Sequence, residues 1–462
     1  MLEIKNQIII FFFCLTRKHN PKDITDLSIL LDNILTILKS KLYECDDTIE
    51  IDIYVSYFIL LYKLIAYTRD ICGGKGERDL TYMMIDIWYK HFPILAKNML
   101  EIIPENYGSW KDLKYFCKYT KNEKHMDDCI KIWNNQLEND LYFSNSNVSK
   151  WIPREKSAFG WLFEKSAIEW HSRNYKTPIS INRQKKEYRQ TLSYLYLSSF
   201  KTPSWREEKG SILNALNLPL QMEMDTKKQR HIIHSHSFHL GEYIKNPHLQ
   251  NQTYWEEIKT DILQTRKREK VYMIPIVNIS VINTEEYNNA LGIGCMISEI
   301  SGIRDRILVY DQHASWLDTS SLDLEQKIQI LREKTIIKGN CNIFNAIELI
   351  KTEPNIIWII ISDFAMEPFD LNKQIIEMVA PNECPKIVYW NIGSKIPFFQ
   401  IEDTENENIL VSGSSSSTLK YIYQNIEKMT DTYSYIQDIV NQERYKIVEE
   451  YFKTRMKEEE ER

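Results

Sequence analysis

The sequence is poor in the residues that build flexible linkers. Its 462 residues include only 13 Gly and 14 Pro, a composition that argues against long flexible or low-complexity connections between domains. A chain of this length provides for two or three domains with a substantial core. We therefore expect a compact and largely helical protein.

Paired cysteine motifs are also missing. The eight cysteines are scattered, and no two of them form a Cys-x-x-Cys pair. This pattern argues against a disulfide framework and against a thiolate zinc site, and it favours free thiols in a reducing compartment. We expect a cytoplasmic protein.

No apolar run is long enough to cross a bilayer. The most apolar stretch, IIIFFFCL at residues 8–15, is too short for a membrane span and is not followed by a small-residue cleavage site. We expect it to form a first helix buried against its neighbours, and we expect no membrane partner.

The chain has no overall basic charge, because its formal net charge is −6. No global field therefore favours nucleic acid, although basic residues cluster locally at 182–190 and 264–270, and Trp, Lys and Arg are frequent at 147–170. Such residues either bind RNA or another partner or simply form solvated helix faces and core tryptophans. The candidates for the binding surface are Lys150, Trp151, Arg154, Lys185, Lys186 and Arg189.

Hydrophobic periodicity divides the chain into three parts. Residues 1–265 repeat apolar residues at helical spacing, which predicts a domain of stacked helix pairs. From 266 to 430, near-continuous apolar strands alternate with helical segments, which is typical of an α/β domain with a buried, mostly parallel sheet. Residues 431–462 are predicted to form one long helix with a frayed acidic end.

Polar side chains follow three of the predicted strands: Asn278 and Ser280, then Cys341, then Asp363. The carboxyl ends of parallel strands lie at one edge of a sheet, so we expect these loops to converge. A hard divalent cation there requires carboxylate and hydroxyl oxygens, of which one carboxylate is present. Ile282, two residues beyond Ser280, offers no side-chain oxygen at all.

Four histidines suggest a different chemistry. His231, His234, His236 and His239 are close in sequence, and a zinc site among them would make the protein a metal-dependent enzyme. On one helix, however, His231 and His234 share a face that His236 does not, and two histidines alone make a weak zinc site. Helix-surface packing is the alternative interpretation, and we expect no cofactor.

The glycine-rich segment GGKG at residues 73–76 is the nearest approach to a phosphate-binding loop. It lacks the Gly-Lys-Ser/Thr ending and follows a helix rather than a strand. We expect it to cap one helix and turn the chain into the next. No serine, cysteine or paired-carboxylate catalytic group emerges from the spacing, and a small-molecule substrate is not expected.

Several segments together resemble a known family: LIAYTRDICGGKGERDLTYMMIDIWYKHFP, YGSWKDLKYF, KWIPREKS, YRQTLSYL and PKIVYWNI with ILVSGSSSSTLKYI. They are similar to the domain of unknown function 2828, a family of giant DNA viruses, plants and fungi. The similarity extends from the first helices to about residue 427.

That family looks like a relative of the Ro autoantigen, which implies HEAT-like helical repeats followed by a von Willebrand factor A-like, doubly wound α/β domain. In A domains a metal-ion-dependent adhesion site uses Asp-x-Ser-x-Ser, a Thr and a second Asp. Carried over by resemblance, Ser280 and Asp363 are kept, whereas Asn278, Ile282 and Cys341 replace the other three ligands. The resemblance therefore implies a degenerate site that holds no metal.

The function expected from these observations is that of a non-enzymatic intracellular binding or scaffold protein. Its partner is expected to be a protein or a structured RNA. A viral origin fits the resemblance and would place the protein in the host cytoplasm or the virion. The alternatives are a metal-dependent enzyme that uses the His231 to His239 region and a structural component of a virion or other assembly.

Overall fold

The computed structural model describes residues 2–17, 21–143, 148–174, 179–199, 239–245, 249–266, 270–334, 339–352, 355–368, 370–379, 385–395 and 408–460. Helices occupy the chain before the sheet, as the apolar periodicity predicts. One of them begins after Asp47, whose carboxylate accepts the Ile49 N–H, and another has Pro93 in its first turn. The helices are α1 (Leu2–Phe13), α2 (Pro21–Glu44), α3 (Thr48–Arg69), α4 (Asp79–His91), α5 (Pro93–Asn106), α6 (Lys111–Thr120), α7 (Glu123–Phe143), a 3-10 turn (Gly160–Leu162), α8 (Phe163–Asn174), α9 (Ile181–Ser199), α10 (Leu240–Lys245) and α11 (Leu249–Gln264).

A six-stranded sheet follows, in the order β3-β2-β1-β4-β5-β6. All neighbouring strands are parallel except β2 and β3, so the predicted buried and mostly parallel sheet is confirmed, as is the mixed α and α/β character of the chain. The strands are β1 (Met273–Asn278), β2 (Arg306–Tyr310), β3 (Ala314–Asp318), β4 (Ile357–Ser362), β5 (Ile387–Asn391) and β6 (Ile409–Ser412).

Helices connect the parallel strands. They are α12 (Thr284–Ile300), α13 (Leu324–Lys334), α14 (Ile343–Ile350), α15 (Leu371–Met378) and, beyond β6, α16 (Ser416–Asn425). The strand order reverses beside β1, which pairs with β2 on one side and with β4 on the other. Loops that follow strands at such a reversal form a crevice at the carboxyl edge of the sheet.

The carboxyl-terminal part differs from its prediction. The segment predicted as one long helix forms two, α17 (Thr432–Val440) and α18 (Lys446–Glu460), with a 3-10 turn at Glu443–Tyr445 between them. The first of these helices ends at Asn441, whose backbone N–H bonds the carbonyl of Gln437. The break is marked by polar residues rather than by Gly or Pro, and periodicity alone therefore missed it.

Contacts divide the chain into two compact units whose bounds differ from the predicted divisions at 265 and 430. The first unit joins Met1–Leu80 to Ser235–Ile447, and the second joins Thr81–His234 to Val448–Arg462. In the first unit α1 packs against β6 and α17. The apolar segment that forms α1 is buried, as expected, and the first helices consequently belong with the sheet.

Hydrogen bonds support this attachment of α1 to the sheet. The Asn391 amide donates to the carbonyl of Phe13 at 2.8 Å, and the Ser412 hydroxyl donates to the carbonyl of Phe12 at 2.7 Å. Both carbonyls belong to the last turn of the helix, where no intrahelical donor is available. Side chains at the ends of β5 and β6 therefore supply the hydrogen-bond donors that the last turn of α1 lacks.

None of the described helices combines the length and the apolar character that crossing a membrane requires.

Candidate functional site

The loops after β1 and β4 meet at the carboxyl edge of the sheet. The Asn278 amide donates to the Ser362 hydroxyl at 3.0 Å, and its carbonyl oxygen accepts the backbone N–H and the hydroxyl of Ser280 at 2.9 and 2.7 Å. All three side chains are buried. Their polar atoms thus bond one another, which is how a buried polar group avoids the cost of desolvation.

Ile282 lies at the outer end of the same loop, with 70% of its surface exposed. Its side chain packs beside Gly339, where an added Cβ would come within 3.0 Å of the Ile282 Cδ1 atom. The position therefore presents a methyl-bearing surface where the resemblance implies a serine ligand.

Cys341 hydrogen-bonds to a carboxylate that the sequence interpretation missed. Its thiol donates to Glu367 Oε1 at 3.7 Å, and the buried Tyr310 hydroxyl donates to the same oxygen at 3.1 Å. Burial and the nearby Glu367 charge raise the pKa of the Cys341 thiol to about 12. The thiol therefore stays protonated at neutral pH, which suits neither a nucleophile nor a metal ligand.

Asp363 is the only carboxylate kept from the expected ligand set. Burial raises its pKa, and its Oδ1 atom accepts the N–H of Ala365 at 3.3 Å. With an amide already bonded at 278, an alkyl group at 282 and a protonated thiol at 341, the donor set does not fit a divalent cation. Among the described residues no group of three or more His, Cys, Asp or Glu side chains is placed to hold a metal ion.

Glu367 makes the stability of this loop cluster depend on pH. Burial raises the pKa of its carboxyl from 4.5 to about 7, so the folded state favours the protonated form. Its contribution is complete below the ordinary pKa and is lost as pH rises through about 7. We expect Glu367→Gln to stabilise the protein at about pH 8 by roughly 2–3 kcal/mol in urea unfolding, and to change its stability little at about pH 4.

The exposed Glu377 on α15 provides the matched control. Glu377→Gln removes a carboxylate from the same unit without removing a buried charge, and the wild-type pH dependence should persist. If Glu367→Gln left the wild-type pH dependence unchanged, the protonated state assigned to Glu367 would be wrong.

The GGKG segment lies between α3 and α4, as the interpretation of a helix end and turn predicts. A Cβ at Gly74 would come within 2.0 Å of the Tyr67 carbonyl oxygen, so this position requires glycine. The Gly74 carbonyl accepts hydrogen bonds from the hydroxyls of Ser415 and Ser417, at 3.1 and 2.9 Å. The turn is therefore fastened to the start of α16.

Lys75 in this segment is buried and bonded to protein oxygens. Its ammonium group donates to the carbonyl of Leu15 at 2.7 Å, to the carbonyl of Ser412 at 3.2 Å and to the Ser412 hydroxyl. It also lies 4.7 Å from the ring centroid of Phe12. These contacts join α1, the turn and the end of β6, and they occupy the ammonium group that a phosphate loop would use.

His239 is the one member of the histidine cluster that the structure describes; His231, His234 and His236 lie outside the described residues. Its ring lies within 3.2 Å of Glu77 and contacts Arg17, while Nδ1 lies 2.6 Å from the Ser414 hydroxyl.

The carboxylate of Glu77 is buried between Arg17 and His239. Burial opposes the charged form of Glu77, but hydrogen bonds and charge from His239 and Arg17 prevail and lower its pKa to about 2. The adjoining cavity of about 10 Å³ has room for about one water. His239 therefore takes part in a charge-balanced contact within the first unit.

A cluster of basic and aromatic residues stands out in the second unit. The ammonium groups of Lys111, Lys150 and Lys114 lie 4.2, 4.8 and 5.7 Å from the ring centroid of Trp151. Lys111 and Lys114 are one turn apart on α6, and Lys150 precedes the tryptophan in a tight turn closed by the Trp151 N–H on the Val148 carbonyl. We call Lys111, Lys114, Lys150 and Trp151 the lysine–tryptophan cluster.

Arg154 positions this turn. One guanidinium nitrogen donates to the carbonyl of Ser149 at 3.0 Å, and the other terminal nitrogen is buried without a hydrogen-bond partner among the described residues. Burial lowers its pKa. Arg154 thus supports the backbone that carries Lys150 and Trp151.

Two lysines of the cluster, Lys111 and Lys114, bring positive charge together without a balancing acid among the described residues. No carboxylate in the described part of the chain lies within salt-bridge distance of Lys111 or Lys114. The pKa of Lys114 is lowered, first by burial and then by the charge of Lys111. The two ammonium groups therefore repel each other, and an anion bound between them would relieve the repulsion.

The remaining basic candidates on α9 are placed differently. Lys185 pairs with Glu155 at 3.0 Å and with Glu164 at 3.3 Å, and Arg189 also pairs with Glu155. Lys186 is exposed. Ion pairs already neutralise two of these three cations, although both meet Glu155 next to Arg154. Of the six predicted binding residues, Lys150 and Trp151 therefore remain as the candidates with positive charge against an aromatic ring, supported by Arg154.

Lys111 and Lys114 were missed as candidates, although both stand in YGSWKDLKYF. Their role depends on Trp151, which is distant in sequence, and only the folded chain reveals it.

Compared with protein-family models and with curated proteins, the chain matches none. Function is therefore inferred from the side chains described above.

Proposed function

We propose that the protein is a non-enzymatic binding protein whose second unit binds the phosphate groups of a structured RNA. The observation that carries this proposal is the lysine–tryptophan cluster, in which three ammonium groups lie within 5.7 Å of one indole centroid. Lysines bind phosphates as point charges, and their release of counterions supplies most of the affinity for nucleic acid. The acidic net charge of the chain does not oppose such a local site, because exposed charges farther apart than about 8–10 Å are screened at physiological salt.

A structured RNA fits this cluster because its folded backbone presents several phosphates close together. Double-stranded regions are recognised through phosphates and 2′-hydroxyls rather than through base edges. Three lysines held around one rigid ring form a compact positive surface, and the ring restricts their motion, so less entropy is lost when phosphates bind.

In this proposal the sheet region supports the fold and does not bind RNA. Its strand order and antiparallel edge strand support a relationship to the von Willebrand factor A domain, and with it the resemblance to the domain of unknown function 2828. The internal bonding of Asn278 with Ser280 supports a domain that works without a metal. In this proposal the first unit is a scaffold and the second unit carries the RNA site.

Fluorescence anisotropy with a labelled RNA hairpin tests the proposal on the full-length protein. We expect saturable binding whose logarithmic affinity falls with the logarithm of salt concentration with a slope of about −2 to −3, as three phosphate contacts predict. Absence of binding at physiological salt would contradict it. Tighter binding of an acidic peptide than of the hairpin would point to a protein partner instead.

A further inference from the structure

The first unit contains a second and larger cavity, of about 500 Å³. This volume falls within the range of about 300–1,000 Å³ that is typical of small-molecule sites. Three segments line it: the end of α3 with the following turn, one face of α16, and the end of α17 with the residues after it. None of these residues belongs to the loops after β1 and β4 or to the lysine–tryptophan cluster.

The lining of this cavity is effectively uncharged. Lys420 is its one ionic side chain, and both carboxylate oxygens of Asp261 accept hydrogen bonds from it, at 2.8 and 2.7 Å. The other lining residues are Tyr, Cys, Gly, Ser, Thr, Gln, Asn and Ile. An ionic ligand would therefore lose its hydration without gaining a counter-charge, and the cavity favours a neutral one.

Several polar side chains of the cavity are open to a ligand, because they are not engaged by the described residues around them. Thr418 is only 3% exposed, and its hydroxyl lies beside the Tyr67 phenol without a hydrogen bond of normal geometry to a described residue. The side-chain amides of Gln424 and Gln442 and the Tyr421 hydroxyl likewise bond no other described residue. A buried hydroxyl without a hydrogen bond is unfavourable, and a bound ligand would supply the missing bond.

We propose that this cavity binds a neutral small molecule rich in hydroxyl groups, of the chemical class of the sugars. The side-chain amides of Gln424 and Gln442 each carry hydrogen-bond donors and an acceptor, and the Thr418 and Tyr421 hydroxyls can donate or accept. The hydroxyl groups of a sugar also donate and accept, so the two sets of groups match. The rings of Tyr67 and Tyr421 add apolar surface for the C–H groups of such a ligand. We propose no reaction at this site, only binding, and the site is independent of the proposed RNA site.

Cys72 provides a reporter because it lines the cavity and is exposed. Full-length protein is treated with a maleimide in the presence of millimolar glucose, galactose, maltose or lactose, and modification of Cys72 is followed by mass spectrometry. We expect at least one of these sugars to slow the modification of Cys72 several-fold and to leave that of Cys45 unchanged. Adenosine and glucuronate, which are aromatic and anionic respectively, are expected not to protect it.

The double variant Gln424→Ala/Gln442→Ala should abolish the protection by sugar. Both residues are at least partly exposed, so the fold should tolerate their loss, and a thermal melt checks this. Gln437→Ala removes a partly exposed amide of α17 outside the cavity and should preserve the protection. The proposal is overturned if none of the four sugars protects Cys72 in the wild-type protein, if adenosine or glucuronate protects better, or if protection survives in the double variant.

Discussion

Replacing Lys75 by methionine is expected to destabilise the first unit by about 2–4 kcal/mol. The ammonium group is buried and donates to the carbonyls of Leu15 and Ser412 and to the Ser412 hydroxyl. Methionine fills a similar volume but leaves these buried oxygens without their donor, which carries the full desolvation cost. Hydrogen exchange should show the effect as a loss of protection in β6, because Ser412 is its last residue.

The matched control is Lys373→Met, which alters an exposed lysine on α15 in the same unit. We expect it to change stability by no more than about 0.5 kcal/mol. If β6 kept its protection in Lys75→Met, Lys75 would not fasten the glycine-rich turn to the sheet. The segment would then have to be reconsidered as a ligand-binding loop.

The double variant Lys111→Gln/Lys114→Gln is expected to weaken RNA binding about 10- to 30-fold at physiological salt and to reduce the salt slope by about 2. Each lysine removed takes away one phosphate contact from the lysine–tryptophan cluster. The fold should tolerate the change, because no described carboxylate pairs with either charge and the pKa of Lys114 is lowered by burial and by Lys111. Anisotropy titrations over a range of salt concentrations measure both quantities.

Lys185→Gln/Arg189→Gln removes the same number of positive charges from the same unit. Because Glu155 already pairs with both residues, we expect little change in affinity and in the salt slope. Equal losses in the two double variants would mean that the positive charge of the whole unit, rather than the lysine–tryptophan cluster, determines binding.

Five of the six strands were predictable from the sequence, because strands of a parallel sheet are buried on both faces. β1 and β4 are near-continuous apolar runs with every residue, or all but one, buried, and no helical periodicity competes with them. β3 was missed because only Leu317 among its five residues is buried. An antiparallel edge strand has one neighbour and little core, so its sequence carries a weak signal.

The division into units was not predictable from local patterns. Whether α1 packs on other helices or on the sheet depends on contacts such as that of Asn391 with the Phe13 carbonyl, across nearly the whole chain. The periodicity of an apolar helix indicates that it is buried but does not identify its neighbour.

The residues of the candidate sites were also predictable only where their position depends on local sequence and sheet topology, and not where it depends on distant contacts. The strand-end rule correctly placed Asn278 at the end of β1, and Ser280 and Asp363 just beyond β1 and β4, since it depends only on sheet topology. Cys341 was also predicted to follow a strand, but the described element before it is the helix α13. Glu367 was missed because its role comes from a hydrogen bond with Tyr310, at the end of a different strand. Likewise Lys111 becomes notable only when the fold brings it to Trp151.

Ultraviolet cross-linking of the full-length protein to an RNA hairpin, followed by mass spectrometry of the linked peptides, tests the central claim most directly. Binding at the lysine–tryptophan cluster predicts cross-links at Trp151 and in the peptide that contains Lys111 and Lys114, and their loss in the Lys111→Gln/Lys114→Gln variant. Cross-links confined to the first unit, or none at all, would contradict the assignment of RNA binding to this cluster.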